Sequence, residues 1–163
     1  MFSKQAPDAN LFRSLFEAAP DAMIVVDRHG VIVLTNAHAE RLFGYEEGAL
    51  VGLQVEALLP LALRQAHVAH RAHYVSHPRE RAMGAGYELT GIRADGRSFP
   101  VEIGLSPVAA SREMLYAASI RDISETQRAR QAQERSRFDV ALAQMGRRLR
   151  EATYHEKGID EIP

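Results

Sequence analysis

Residues 87–107, YELTGIRADGRSFPVEIGLSP, limit the possible folds of this chain more than any other stretch. Four apolar residues alternate there with four others: Phe99, Val101, Ile103 and Leu105 against Pro100, Glu102, Gly104 and Ser106. A period of two predicts a strand with one buried face. The dipeptide Asp95-Gly96 comes just before this strand and is a strong hairpin signal. The stretch therefore predicts an antiparallel β-hairpin.

The type of turn decides which residues of the first hairpin strand face the core. A two-residue turn would place Glu88 on the buried face. A three-residue loop that ends in a left-handed Gly96 places Tyr87 and Leu89 there instead, with Leu89 opposite Val101. A shift of one residue moves every side chain to the other face of a strand. Because only the longer loop keeps a carboxylate out of the core, we predict the three-residue loop.

Composition limits the class of protein. The 163 residues are 46% hydrophobic, which is enough for one domain with a real core. The net charge of −1 gives no electrostatic reason to expect a nucleic-acid partner. The chain has no cysteine, which excludes disulfides and thiolate chemistry and fits a reducing compartment. With no apolar run of about 20 residues and no signal-peptide pattern, we expect a cytoplasmic protein without a membrane partner.

Other segments supply more strands and helices. Apolar residues within 11–16 predict a short helix capped by Asp8 or Asn10, and residues 1–10 are expected to be a flexible terminus. Strands are predicted at 23–27, 31–35 and 114–123, and helices at 37–43, with Asn36 as the cap, and at 58–77. A single helical turn is predicted at 46–50. These elements predict an α+β fold, a five-stranded antiparallel sheet with short helices on one face.

The chain changes character at Ser124. Residues 124–154 are rich in helix formers, and apolar residues recur at spacings of four and three: Phe138, Leu142, Met145, Leu149 and Ala152. A helix of about 30 residues would be about 45 Å long. Because such a helix cannot bury much surface on a small domain, we expect it to pair with a second copy of the chain in a homodimeric coiled coil. Residues 155–163 are interpreted as a tail that leads into a further region.

Two stretches resemble the two halves of a PAS domain, LFEAAPDAMIVVDRHGVIVLTNAHAERLFGYEEGALVG and GIRADGRSFPVEIGLSPV followed by SIRDISETQR. The resemblance covers roughly residues 11–128. It implies a PAS sensor domain at 11–123, with a five-stranded antiparallel sheet and helices that enclose a small-molecule pocket. Such domains regulate effectors such as histidine kinases. The segment Asp122-Ile123-Ser124-Glu125 resembles the exit motif of the family, which implies a relay role for Asp122 and Ser124.

The stretch LLPLALRQAHVAHRAHY further resembles haem-binding, oxygen-sensing PAS domains of nitrogen-regulating kinases. This resemblance implies His67 as the axial ligand of a haem. The remaining residues of the implied pocket lie on the same helix and on the hairpin: Leu63, Tyr74, Tyr87, Leu89, Val101 and Ile103. Tyr87 stands where that group has an arginine that bonds oxygen, and Ala82 and Ala85 replace isoleucines.

Several alternatives to haem stay open at this stage. The pocket takes an unidentified small ligand, or stays empty in a domain that dimerises or binds proteins. The flavin photochemistry of the light-sensing branch of the family needs a reactive cysteine, and the chain has none, so only a non-covalent flavin stays open. The spacing of His70, His73 and His77 is compatible with a metal ion. In the cases without haem, Tyr74 and Tyr87 are core aromatics with hydrogen-bonded hydroxyls.

An enzymatic role for these residues finds no support in the sequence. The G-x-S-x-G elbow, the P-loop and the H-E-x-x-H motif are all missing from the 163 residues. We therefore interpret the chain as a non-catalytic sensor, and any kinase or cyclase activity is expected in a downstream effector domain.

Overall fold

The computed structural model describes residues 8–79, 81–83 and 89–157. Its helices are α1 (Ala9–Glu17), α2 (Ala37–Phe43), a 3-10 helix (Val55–Leu58), α3 (Leu61–Ser76) and α4 (Ser124–Lys157). Its strands are β1 (Ala22–Val26), β2 (Ile32–Thr35), β3 (Arg81–Met83), β4 (Leu89–Ile92), β5 (Ser98–Ala109) and β6 (Met114–Asp122).

One antiparallel sheet contains all the described strands, in the order β2-β1-β6-β5-β3. Strand β4 also pairs with β5, and it does so along residues 98–101, whereas β3 pairs along residues 103–105. The two short strands therefore share one edge of β5, and the six strands fill five positions. The predicted five-stranded α+β arrangement is confirmed.

The β4–β5 hairpin has the predicted register. Leu89 pairs with Val101, and Gly96 is left-handed with a φ of 86°. The amide of Gly96 donates to the carbonyl of Arg93, and the amide of Arg93 donates to that of Arg97, both at 2.9 Å. The loop thus comprises residues 94–96, as expected if burial of the apolar face sets the register. Tyr87, which was predicted on the same face, lies outside the described residues.

The hydrophobic core lies between the inner face of the sheet and the helices between β2 and β3. Phe99 and Val101 are buried there, and Ile103 and Leu89 pack against it half-exposed. The Phe99 ring meets that of Phe43 from α2 edge to face, with 5.5 Å between centroids. The remaining buried core residues come from both layers: Ala22, Ile24, Ile32, Ala39, Leu50, Leu58 and Ile120.

Asn36 caps α2, as predicted, and also connects three elements in the interior. Its Oδ1 accepts from the amides of Ala39 (3.0 Å) and Met23 (2.9 Å). Its Nδ2 donates to the carbonyls of Phe16 and Asp21, both at 3.1 Å. The side-chain amide of Asn36 is fully buried, and its oxygen and its nitrogen each form two hydrogen bonds. These bonds join α1 and β1 to the start of α2.

The middle of the chain differs from the prediction in two places. Residues 46–50 form turns instead of a helix, and the sequence did not indicate the 3-10 helix at Val55–Leu58. Three glycines near the predicted turn, at positions 44, 48 and 52, are left-handed and interrupt any helix there. Helix α3 begins at Leu61, with Pro60 as the residue before it. Proline is tolerated at such a boundary because no helical amide is lost.

The contacts within the chain divide it into a unit that ends at Ser124 and a second unit that begins at Glu125. The second unit contains α4 from its second residue onward, and the predicted bounds 124–154 of this helix are extended by three residues in the structure. Asp8 caps α1, so the part of the expected flexible terminus that the structure describes belongs to this helix. Within the described ranges, none of the helices combines the length and the apolar character needed to cross a bilayer.

Candidate functional site

His67 lies on the inward side of α3 in contact with a buried carboxylate. The side chain of His67 is 28% exposed, and that of Glu56, from the 3-10 helix, is 9% exposed. The distance from His67 Nδ1 to Glu56 Oε1 is 2.9 Å. Arg71, one helical turn further along α3, donates its Nε–H to the same oxygen, also at 2.9 Å. We call Glu56, His67 and Arg71 the α3 cluster.

The α3 cluster also reaches the turn between β1 and β2. Arg71 Nη1 donates to the carbonyl of Arg28 at 3.4 Å. A Cβ atom at Gly30 would lie 2.5 Å from Arg71 Cζ, and the φ of Gly30 is +82°. Only glycine therefore permits both this turn and the position of the guanidinium. The cluster thus links α3, the 3-10 helix and the first hairpin.

Glu56 is ionised more readily than an ordinary glutamate. Burial alone would raise its pKa, but the hydrogen bonds from Arg71 and His67 outweigh burial and lower the pKa below the usual value. A buried carboxylate is costly unless it is paired. Arg71 and His67 provide that pairing.

The other predicted pocket residues lie at different depths. Tyr74 is buried, donates its hydroxyl to the carbonyl of Arg79 at 2.5 Å, and meets the Tyr116 ring edge to face at 5.8 Å. Leu63 is 45% exposed, so Arg64 and His67 lie further inward on α3 than Leu63 does. The hairpin residues Leu89, Val101 and Ile103 belong to the core or pack against it. The structure therefore brings Leu89, Val101 and Ile103 together at the core. Tyr87 lies outside the described residues.

The histidines of α3 do not form a metal site in the part of the chain that the structure describes. No three side chains of His, Asp or Glu among those residues are arranged to hold a metal ion. The rings of His73 and His77 lie 5.4 Å apart, and His70 is exposed on the same helix.

Asp122, at the end of β6, lies where the sheet meets the start of α4. Its Oδ1 accepts from the amide (2.8 Å) and the hydroxyl (2.5 Å) of Ser124. Its Oδ2 accepts from Arg93 Nη2 at 2.8 Å. Burial alone would raise the pKa of Asp122, but the bonds from Ser124 and Arg93 lower it below the usual value. We call Arg93, Asp122 and Ser124 the exit cluster.

Arg93 connects the exit cluster to the core. Its guanidinium lies over the Phe99 ring, 4.0 Å from the centroid, and Nη1 donates to the carbonyl of Leu42 in α2. The next residue of the loop, Ala94, donates its amide to the carbonyl of Phe43 at 2.8 Å. A cation over a buried aromatic ring is a favourable contact. The end of α2, the hairpin and the start of α4 therefore meet at one guanidinium.

Three residues of these clusters were missed by the sequence analysis: Glu56, Arg71 and Arg93. Arg71 lies within the predicted helix 58–77, but its partners Glu56 and Arg28 belong to other segments. Glu56 belongs to a 3-10 helix of four residues, which is too short to show a periodic pattern. Nothing in the sequence around a single glutamate predicts that it is buried. Arg93 directly precedes the hairpin loop, so its position was predictable from the turn, but its partners come from α2 and β6. The exit-motif resemblance found Asp122 and Ser124 and gave no indication of their partner.

Comparison with known proteins agrees with this architecture. Residues 20–125 match the model of the PAS domain family. The sensor protein FixL of Bradyrhizobium diazoefficiens is 36% identical over 115 residues, which cover 71% of this chain and 23% of the relative. The oxygen sensor protein DosP of Escherichia coli is 29% identical over 101 residues, 62% of this chain and 13% of the relative. The chain thus spans less than a quarter of either relative.

Solved structures show the same fold. The PAS domain of an HTR-like protein from Haloarcula marismortui superimposes with a TM-score of 0.58 at 24% identity, covering 71% of this chain and 91% of that one. The fold, the family match over 20–125 and the similarity to two sensor proteins point the same way. PAS domains are sensory, non-catalytic modules. The chain belongs to the PAS domain family, and residues 20–125 are its sensory module.

Proposed function

We propose that this sensory module detects a small ligand in the interior between α3 and the sheet, and controls an effector domain through α4. The effector that we propose is a histidine kinase in the cytoplasm, in keeping with the absence of cysteine and with the resemblance to kinase-linked PAS domains. Any catalytic activity of the whole protein would then belong to that effector.

The exit cluster is the observation that carries this proposal. Asp122 holds the first residue of α4 by two hydrogen bonds and holds Arg93 by a third. Arg93 lies against Phe99 of the core. A ligand that shifts the core would move the Phe99 ring and hence the guanidinium, and the carboxylate would follow. The start of α4 would then respond to the state of the interior.

We expect Arg93→Gln to loosen the start of α4 while leaving the fold intact. Without the guanidinium, Asp122 loses one of its three donors, and the protection of the Ser124 amide should weaken. Hydrogen exchange of the full chain, followed at residues 122–126, should become about fivefold faster or more, which corresponds to roughly 1 kcal/mol.

Arg97→Gln is the matched control for this experiment. Arg97 lies in the same hairpin, is exposed and pairs with Asp95. Its replacement should leave exchange at residues 122–126 unchanged. Equal exchange in the Arg93 variant and the wild type would contradict a relay through the exit cluster.

We also propose that the chain forms a homodimer through α4. The predicted seam residues Phe138, Leu142, Met145 and Leu149 are between 51% and 68% exposed in the single chain. A row of apolar side chains at heptad spacing is costly in water and is typically covered by a second helix. A second copy of the chain is the simplest partner, because its seam is identical.

We expect Leu142→Lys to shift the full chain from dimer to monomer, because the lysine would place two charges inside the seam of the pair. Sedimentation over a concentration series measures this shift. Val140→Lys is the control, since Val140 is equally exposed but lies off the seam. A wild-type chain that stays monomeric at all concentrations, or equal effects of both variants, would rule out this seam.

Haem is a second candidate for the ligand, favoured by the α3 cluster and by the similarity to the oxygen sensor protein DosP. His67 is an imidazole on the inward side of α3, and Nδ1 of its ring contacts a carboxylate. This donor set fits haem, because an axial histidine usually has a carboxylate or carbonyl partner on its other ring nitrogen. Haem would supply an iron that binds a diatomic gas, and His67 would hold it.

We expect the purified chain, reconstituted with haem, to show a Soret band that His67→Ala removes. His70→Ala is the control, since His70 is exposed three residues further along the same helix. Visible absorption spectra of the three proteins make this comparison. A wild-type chain that takes up no haem, or a band that persists in the His67 variant, would eliminate the haem candidate and leave the proposed relay in place.

A further inference from the structure

We propose that Glu56 and Arg71 are positioning residues for His67: they fix its neutral ring in the Nδ1-protonated form and leave Nε2 as the atom that binds a ligand. The ligand role of Nε2 rests on the haem candidate above. The protonation pattern stands on the geometry of the chain itself, and it can be measured without any ligand.

The argument starts from Arg71. A guanidinium has hydrogen-bond donors and no acceptor, so Oε1 of Glu56 is an acceptor in the bond of 2.9 Å from Arg71 Nε. The same Oε1 lies 2.9 Å from His67 Nδ1. Two acceptors cannot form a hydrogen bond with each other, so Nδ1 must carry a proton. In the neutral ring the only lone pair available to a ligand is then on Nε2.

The carboxylate is held so that it cannot easily turn away from His67. Arg71 also donates from Nη1 to the carbonyl of Arg28 at 3.4 Å, and the absence of a side chain at Gly30 makes room for the guanidinium. Glu56 itself is buried on the 3-10 helix. The ring of His67 is therefore oriented by Glu56, which lies on the 3-10 helix and is bonded through Arg71 to the turn between β1 and β2. Second partners of this kind fix the tautomer of ligating histidines.

Nitrogen-15 NMR of the full chain without haem tests this inference. In mildly alkaline solution, two-bond correlations should show a protonated Nδ1 and an unprotonated Nε2 for His67, assigned by the signals lost in His67→Gln. The exposed His70 should show a mixture of both neutral tautomers in which the form protonated on Nε2 dominates. In Glu56→Ala we expect His67 to approach the pattern of His70, because no carboxylate then accepts from Nδ1.

A wild-type His67 protonated on Nε2 would overturn the inference even if the Glu56 variant fails to fold. An unchanged His67 spectrum in a folded Glu56→Ala chain would overturn it as well. If the chain binds haem, the same variant should bind it about 10–100-fold more weakly. Failure to bind haem, with the tautomer as expected, would eliminate the haem candidate and leave the positioning role of Glu56 standing.

Discussion

The contacts between the core and the first residue of α4 depend on the carboxylate of Asp122. It ends β6, it accepts from the first residue of α4, and it accepts from Arg93. Since an ionised carboxylate can only accept, all three donors favour the same charged state, and burial does not reverse this preference. A neutral side chain of the same shape would lose this preference. The three hydrogen bonds of Asp122 are therefore both electrostatic and directional.

Polar groups with fixed partners also hold the rest of the domain together. Asn36 joins α1, β1 and the start of α2 through four hydrogen bonds, and Glu56 joins α3 to the 3-10 helix. Among the described residues, no buried side-chain nitrogen or oxygen lacks a partner. Buried polar groups of this kind specify one arrangement, because any other leaves them unsatisfied. Apolar burial supplies the core, and these groups decide how the elements meet around it.

Local patterns predicted the sheet better than the sites. The alternation around Val101 and the need to exclude Glu88 from the core were enough to set the β4–β5 register, and the cap at Asn36 followed from its place before a helix. The partners of His67 and Asp122 were not predictable in this way. Glu56 and Arg93 are 11 and 29 residues distant from them along the chain, and a single charged residue shows no periodicity. Such contacts appear only once the fold brings the segments together.

A double-mutant cycle on Arg93 and Asp122 tests most directly whether the exit cluster is an energetic unit. The free energy of unfolding of the PAS unit would be measured by urea titration of the full chain, in the wild type, Arg93→Gln, Asp122→Asn and the double variant. We expect a coupling energy of about 1 kcal/mol, because the pair is partly buried and hydrogen-bonded. Additive effects, with a coupling below about 0.3 kcal/mol, would contradict a connection between core and helix through this pair.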